Sequence, residues 1–173
     1  LDGCWLREGS TAEDAANRAS PMAAVDIPLG DETARLCYSR PSARGRTIMG
    51  ELVPFGQIWR TGANEATELH LPVAVTVGGA ALEPGRYALY SVPGESEWEF
   101  VLSSNTGYWG NRVDASVRDA EVASFTRPAR AIEEMVETFT IRWDAHGPEM
   151  GHLVLEWEHT RVEIPIHRGG GHH

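Results

Sequence analysis

The polar residues of greatest chemical interest lie in the segment WRTGANEAT, residues 59–67. It places the guanidinium of Arg60, the amide of Asn64 and the carboxylate of Glu65 around a glycine, directly before a predicted strand. Gly62 and Asn64 favour backbone of positive φ, so a sharp turn here would aim Arg60 and Glu65 into the same space. A guanidinium suits recognition of carboxylate, phosphate or sugar hydroxyl groups. The segment therefore indicates a binding site, in which Glu65 is the candidate for acid/base catalysis.

An architectural explanation of the same residues stays open. In it, Arg60 and Glu65 form a buried ion pair that only holds the loop, and Asn64 bonds to its own backbone. The connection 41–66 is long, and Arg40 precedes it directly. Long loops in compact domains are often functional, so we count Arg40 with Arg60, Asn64 and Glu65 as candidate ligand-binding residues.

A second candidate binding element is the loop NTGYWGN, which puts Tyr108 and Trp109 between glycines after a predicted strand. If exposed, the two rings would offer a flat apolar platform for a sugar or another small ring. The alternative is that Trp109 packs over one end of the fold.

The sequence contains none of the common motifs for cofactor binding, metal binding or hydrolysis. HExxH, GxSxG, a Walker glycine loop and CxxC are absent from the sequence. The nearest approach to a metal site is a set of acidic and histidine residues on the polar faces of two predicted strands, namely Glu68, His70, His152, Glu156 and Glu158. We expect those faces to be solvated, and we expect neither a metal nor a cofactor.

The amino-acid composition limits the classes of partner and of chemistry that the protein can use. The 173 residues carry a net charge of -10, which argues against nucleic acid and against an anionic membrane surface. All 15 basic residues are arginine, so a lysine nucleophile is excluded. No apolar run approaches the roughly 18 residues that a membrane span needs, and we expect no transmembrane segment.

Alternation of apolar and polar residues predicts the elements that position these groups. In TELHLPVAVTV, residues 67–77, leucines and valines share one face, although Pro72 places the strand at an edge or beside a bulge. Gly78 and Gly79 predict a tight hairpin. Six or more such strands predict an all-β fold, an antiparallel β-sandwich or jelly-roll-like barrel with little helix. A short helix is expected near residues 11–18, and residues 114–123 fit either a helix or a strand.

Composition and strand alternation divide the chain into three predicted segments. Residues 1–20 are predicted to be a leader or tether, residues 21–168 a single β domain, and the GGGHH of residues 169–173 a tag remnant. Cys4 and Cys37 leave three possibilities open. They form a disulfide typical of an exported protein, Cys4 is lipidated because LDGC resembles the end of a lipoprotein signal, or both are free buried thiols.

Several blocks resemble the bacterial domain of unknown function 2911 family between about Ser20 and Ile166. They are YSRPSARGRTIMG from Tyr38, LVPFGQIWRTGANEAT from Leu52, LEPGRYALYSVPGESEW from Leu82 and LEWEHTRVEIPI from Leu155. The resemblance implies an exported bacterial protein of the cell envelope or periplasm, often a lipoprotein. It implies no activity and no catalytic residues.

Three functions remain open at this point, and the first is favoured. It is a cell-envelope β-sandwich binding module for a small polar or carbohydrate-like ligand, held by Arg40, Arg60, Asn64, Glu65, Tyr108 and Trp109. The second is a glycosidase-like hydrolase that uses Glu65 as acid or base and Arg60 as electrostatic stabiliser. The third is a structural or interaction domain in which Arg60 and Glu65 only hold the loop. The residues do not specify the ligand, the oligomeric state or whether any reaction is catalysed.

Overall fold

A computed structural model describes residues 1–169 of the chain. Strands account for 56% and helices for 6%, so the expected all-β class with little helix is confirmed. Residues 170–173, most of the predicted tag remnant, lie outside the described residues. No helix among the residues that the structure describes is long and apolar enough to cross a membrane.

The described residues form nine strands and two short helices. The helices are α1 (Ala12–Asn17) and α2 (Ala115–Arg118), and the strands are β1 (Met22–Leu29), β2 (Glu32–Ser39), β3 (Thr67–Leu71), β4 (Val75–Val77), β5 (Ala80–Leu82), β6 (Gly85–Pro93), β7 (Glu97–Ser103), β8 (Glu121–Gly147) and β9 (Met150–Arg168). Residues 114–123 therefore contain both elements that the sequence allowed, since α2 is followed directly by the start of β8.

All strands belong to one antiparallel sheet in the order β1-β2-β3-β6-β7-β8-β9-β4-β5, which is not closed into a barrel. The long strand β8 joins its two halves, because residues up to Pro128 pair with β7 and residues from Ala129 pair with β9. Register shifts between Ala131 and Thr140 then interrupt the ladder between β8 and β9. The strand thereby folds the sheet over one apolar core.

The core combines side chains from both halves of the sheet. Leu36, Leu69 and Phe100 of the first half are buried with Phe139 and Leu155 of the second. The sequence predicted one apolar face for each strand, and for β6 and β7 the structure covers the opposite face as well. A second buried cluster lies there, formed by Ala66, Ala88, Tyr90, Val101, Tyr108 and Val117.

Proline and glycine divide the segment 67–82 into short strands. β3 ends at Leu71, directly before Pro72, and it lies inside the sheet rather than at its edge. The missing N–H of Pro72 therefore acts by ending the strand. Gly78 and Gly79 both have positive φ, 58° and 92°, and join β4 to β5 in the predicted tight hairpin.

The N-terminal segment 1–20 lies against the domain. Of the possibilities for the two cysteines, the structure contains the Cys4–Cys37 disulfide. Helix α1, the expected short helix, begins with a capping box between Thr11 and Asp14 and buries Ala15. The division of the chain at residue 20 stays a prediction, but the structure gives the preceding segment fixed contacts.

Replacing both cysteines, C4S with C37S, is expected to lower the free energy of unfolding by about 3 to 4 kcal/mol. The bridge spans a sequence separation of 33 residues, and a loop of that size restricts the unfolded chain by this amount. Urea denaturation under oxidising conditions measures it. As a control, reductant should destabilise the wild type by a similar amount and leave the double variant unchanged. Equal stability of the two oxidised proteins would show that the bridge is not formed in solution.

Candidate functional site

The backbone of the WRTGANEAT segment turns sharply, as predicted. Thr61, Gly62 and Asn64 have φ values of 55°, 152° and 58°. At Gly62 a Cβ atom would lie 3.0 Å from both the carbonyl oxygen of Ser39 and the Oγ1 of Thr67, so the turn passes close to β2 and β3. These contacts fix the directions in which the flanking side chains leave the backbone.

The carboxylate of Glu65 points inward, where its partner is Arg18. Glu65 is 1% exposed, and both terminal nitrogens of Arg18 donate to its two oxygens. The backbone N–H of Arg7 donates to the same carboxylate at 3.2 Å, and Arg18 also donates to the Oγ of Ser39 at 2.7 Å. The Arg60–Glu65 pair of the architectural alternative is therefore not formed among the described residues, and the Glu65 carboxylate does not face a ligand site as the favoured hypothesis expected. The N-terminal segment supplies the missing cation.

These contacts decide the ionisation of Glu65. Burial acts to raise its pKa, but the hydrogen bonds from Arg18 and from backbone N–H groups together hold the pKa below the usual value. A glycosidase would need a second carboxylate to act with Glu65, and the sequence offers Glu156 and Glu158 for that role. Both bind other groups, since Glu156 binds Arg142 and Arg161 and Glu158 accepts two backbone N–H groups. The Glu65 carboxylate therefore holds the N-terminal segment against the turn through its bonds to Arg7 and Arg18.

Arg60 lies on the other side of the turn and is partly exposed. Its guanidinium makes no hydrogen bond or ion pair within the part of the chain that the structure describes. The aliphatic stem rests against Gly110, where an added Cβ would lie 2.8 Å from the Arg60 Cδ. Partial burial lowers the pKa of Arg60, although an arginine stays charged at neutral pH. The site thus contains a positioned cation that has no counter-ion among residues 1–169.

Two grooves meet at Arg60 and Trp59, which line both of them. The first, here the Ile58 groove, has a volume of about 370 Å³ and is lined by Ile58, Trp59, Arg60, Gly110, Asn111 and Val113. The second, the Leu52 groove, has a volume of about 310 Å³ and is lined by Ser20, Pro41, Arg46, Leu52, Val53, Trp59, Arg60, Gly62, Ala63, Asn64 and Trp157. Both volumes fall within or near the range of small-molecule sites.

The grooves are positive although the protein is acidic. No aspartate or glutamate of the described chain lines either groove, whereas Arg60 lines both and Arg46 lines the Leu52 groove. Arg46 donates to the carbonyl oxygens of Ser42 and Ala43, and Asn64 donates its amide to the carbonyl of Ser20 at 3.2 Å. A concave surface with cations and no anions attracts negatively charged ligands.

The predicted aromatic platform is not formed. Tyr108 is buried in the second apolar cluster, and burial raises its pKa further above the usual value. Trp109 is only partly exposed, and Arg7 lies over its ring at 4.6 Å from the centroid. The loop still helps to build the site, because Trp109 pairs with Glu65 in a β-bridge and Gly110 donates to the carbonyl of Asn64 at 2.6 Å.

Arg40 is not brought to the grooves. Its guanidinium donates to the carbonyl of Phe139 at 3.2 Å and to the Oγ1 of Thr140 at 3.1 Å, both on β8. Its role in the structure is to join the start of the long loop to β8. Of the predicted binding residues, Arg60 and Asn64 line a groove, whereas Glu65, Tyr108 and Arg40 are turned away.

The residues considered for a metal bind other groups. Glu68 binds His70 at 3.2 Å and the N–H of Gly107 at 2.9 Å, and His152 binds Glu163 at 2.8 Å. Within residues 1–169, no group of three or more histidine, cysteine, aspartate or glutamate side chains is arranged to hold a metal ion.

A protein-family model described as "Protein of unknown function (DUF2911)" matches residues 20–166, which is most of the chain. The chain therefore belongs to this family. No curated protein and no solved structure matches it.

Replacing the buried carboxylate, E65Q, is expected to lower the free energy of unfolding at pH 7 by about 2 to 4 kcal/mol. The change leaves Arg18 partly buried without a charged partner. Denaturation with urea measures the loss. A matched control is D26N, which removes one charge from the more exposed Arg35–Asp26 pair and should cost less than about 1 kcal/mol.

The pH dependence of the free energy of unfolding tests the same ion pair a second time. Because the folded pKa of Glu65 is lowered, its contribution to stability is present above the ordinary value of 4.5 and is lost as pH falls through the folded value. The stability difference between wild type and E65Q should therefore shrink below about pH 4.5. A difference that stays constant into that range would contradict the Arg18–Glu65 pair.

Proposed function

We propose that this member of the DUF2911 family is a non-enzymatic binding module of the cell envelope, and that Arg60 receives an anionic group of a small polar ligand. One observation carries the proposal, namely that the partly exposed guanidinium of Arg60 lies between two grooves without a protein partner among the described residues. A guanidinium has five N–H donors in a planar fork, and a carboxylate or phosphate matches that geometry.

The other arginines of this region serve the structure. Arg18 binds Glu65, Arg40 binds β8, and Arg46 binds two carbonyl groups of its own loop. Arg60 alone among these four has no such contact in the described chain and is placed at the meeting point of the grooves. This contrast favours recognition of a ligand over the structural alternative.

The site is also prepared for binding before a ligand arrives. The stem of Arg60 packs against Gly110, and the Gly110 N–H to Asn64 carbonyl bond joins the two loops on either side of the stem. A side chain that is ordered in advance loses less conformational freedom on binding, so more of the interaction energy appears as affinity.

A panel of small anions tests the proposal through thermal shift and calorimetric titration. It should include carboxylates, phosphate monoesters and uronic acids, with uncharged sugars as the comparison. At least one anion should stabilise the wild type, and R60M should weaken its binding about tenfold or more through loss of the charge-assisted bonds.

The matched control is R86M, which removes the same charge from an exposed arginine that has no partner within the described residues and lines neither groove. It should bind like the wild type. The proposal fails if no anion binds, or if R60M and R86M bind equally well.

Location in the cell envelope rests on the disulfide, because such bridges persist in oxidising compartments. Expression of the full-length coding sequence in a bacterial host, followed by thiol trapping and fractionation, should recover the protein outside the cytoplasm with neither cysteine reactive. Recovery in the cytoplasm with two reactive thiols would contradict the proposed location.

A further inference from the structure

We infer that the N-terminal segment, residues 1–20, is a releasable part of the Arg60 site and couples anion binding there to a redox reaction. In the oxidised protein the Cys4–Cys37 disulfide keeps the segment docked, and the docked segment completes the site. Reduction of the disulfide by a dithiol releases the segment and weakens binding. The inference rests on the proposed function and adds the regulation of that site.

The end of the segment forms one wall of the Leu52 groove. Ser20 lines this groove together with Asn64, and the amide of Asn64 donates to the carbonyl of Ser20 at 3.2 Å. The Nε of Arg18 donates to the same carbonyl, also at 3.2 Å. The wall is therefore a junction between the segment and the turn that follows Arg60, and it is lost when the segment leaves.

The segment also contacts the loop on the other side of Arg60. The guanidinium of Arg7 lies over the ring of Trp109 at 4.6 Å from the centroid. The next residue of that loop, Gly110, supports the stem of Arg60. The backbone N–H of Arg7 donates to Glu65 of the turn. Arg7 thus joins the two loops that hold Arg60, so the docked segment pre-orders the guanidinium and reduces the entropy lost on binding.

The docked segment also neutralises the charge of Glu65. Arg18 donates to both oxygens of this buried carboxylate. Without Arg18, an unpaired negative charge remains in the same turn as Arg60. That charge repels an anionic ligand and competes with it for the guanidinium. Release of the segment therefore weakens anion binding through electrostatics as well as through loss of the groove wall.

Few buried apolar contacts hold the segment in place. Of residues 1–20, only Ala15 is buried. The other attachments include the disulfide to β2, the ion pair with Glu65 and hydrogen bonds between partly buried groups. Segments of this kind open at a lower free energy than the core of a domain. The segment thus has a docked and a released state, and loss of the covalent attachment shifts the balance towards release.

The redox step is a thiol–disulfide exchange with a dithiol. Cys4 is partly exposed whereas Cys37 is buried, so a thiolate of the reductant attacks the sulfur of Cys4, and Cys37 leaves as a thiolate. The second thiol of the reductant then breaks the mixed disulfide. Two electrons and two protons pass to the protein, which gains two cysteine thiols, and the reductant becomes a disulfide.

Calorimetric titration of oxidised and reduced protein tests the inference. The probes are acetate, inorganic phosphate, glucose 6-phosphate and glucuronate, and dithiothreitol is the reductant. Reduction should weaken the binding of each probe that depends on Arg60 by about fivefold or more, the usual size of a coupling between sites. The C4S/C37S variant should bind like the reduced wild type, and dithiothreitol should leave its affinity unchanged.

Two variants separate the effect of charge from that of position. R18M detaches the end of the segment and leaves Glu65 unpaired, whereas R18M combined with E65Q removes the ion pair without changing the net charge. Both should bind the probes more weakly than the oxidised wild type, and R18M should be the weaker of the two. The matched control is R142M, which removes the same charge from an arginine that binds Glu156 and lines neither groove. It should bind like the wild type, and circular dichroism checks that all variants fold.

Thermodynamic linkage gives a second readout. An anion that binds the docked state more tightly must favour the disulfide over the two thiols by the same factor. In mixtures of reduced and oxidised dithiothreitol, a saturating probe should therefore shift the midpoint of disulfide formation about fivefold or more towards reducing mixtures. R60M should show no shift. A segment that only stabilises the fold would not make this midpoint depend on the anion.

The outcomes separate the inference from the proposed function. If the oxidised and reduced wild type bind the probes equally well through Arg60, the coupling is wrong and the anion site stands. Tighter binding after reduction would also overturn the inference, because the segment would then cover the site instead of completing it. If none of the probes binds the oxidised protein, both proposals fail.

Discussion

The arrangement of the site depends on the ion pair between Arg18 and Glu65. These residues are 47 positions apart, and their contact holds the N-terminal segment against the turn that follows Arg60. A buried carboxylate needs a compensating partner, and Arg18 supplies it together with backbone N–H groups. Because Glu65 is neutralised from the N-terminal side, Arg60 has no carboxylate to bind within the turn. The structural ion pair thus leaves the second guanidinium available for a ligand.

The turn itself links three parts of the fold around this pair. Gly62 approaches β2 and β3 so closely that a Cβ would crowd both, and the Glu65–Trp109 bridge ties the turn to the loop after β7. Gly110 of that loop supports the stem of Arg60. The sequence places glycines at both points because only a residue without a side chain allows these approaches. The position of Arg60 is therefore a consequence of backbone packing.

Local features were predictable from the sequence, whereas partners distant along the chain were not. Alternation gave the strands, and the glycines gave the hairpin at 78–79 and the turn at 62, because these depend on a few adjacent residues. Arg18 lies in a polar segment without periodicity, so nothing marked it as the partner of Glu65. Tyr108 counts as a binding residue only if its glycine-rich loop exposes the ring, but the ring is buried in the apolar cluster that covers the second face of the sheet. Arg40 is a candidate because it lies beside the long loop that contains Arg60. Its guanidinium instead donates hydrogen bonds to Phe139 and Thr140 of β8.

Backbone strain provides an independent argument that the long loop does more than connect β2 to β3. Four non-glycine residues of the described chain have positive φ, and three of them, Arg44, Thr61 and Asn64, lie in this loop. The fourth, Glu158, has a φ of 57° and accepts the N–H groups of Ile48 and Met49. Such conformations typically cost about 1 kcal/mol or more each and persist only where surrounding contacts impose them. Thr61 and Asn64 lie on either side of Gly62, whose close approach to β2 and β3 imposes this conformation, so packing fixes the backbone that follows Arg60.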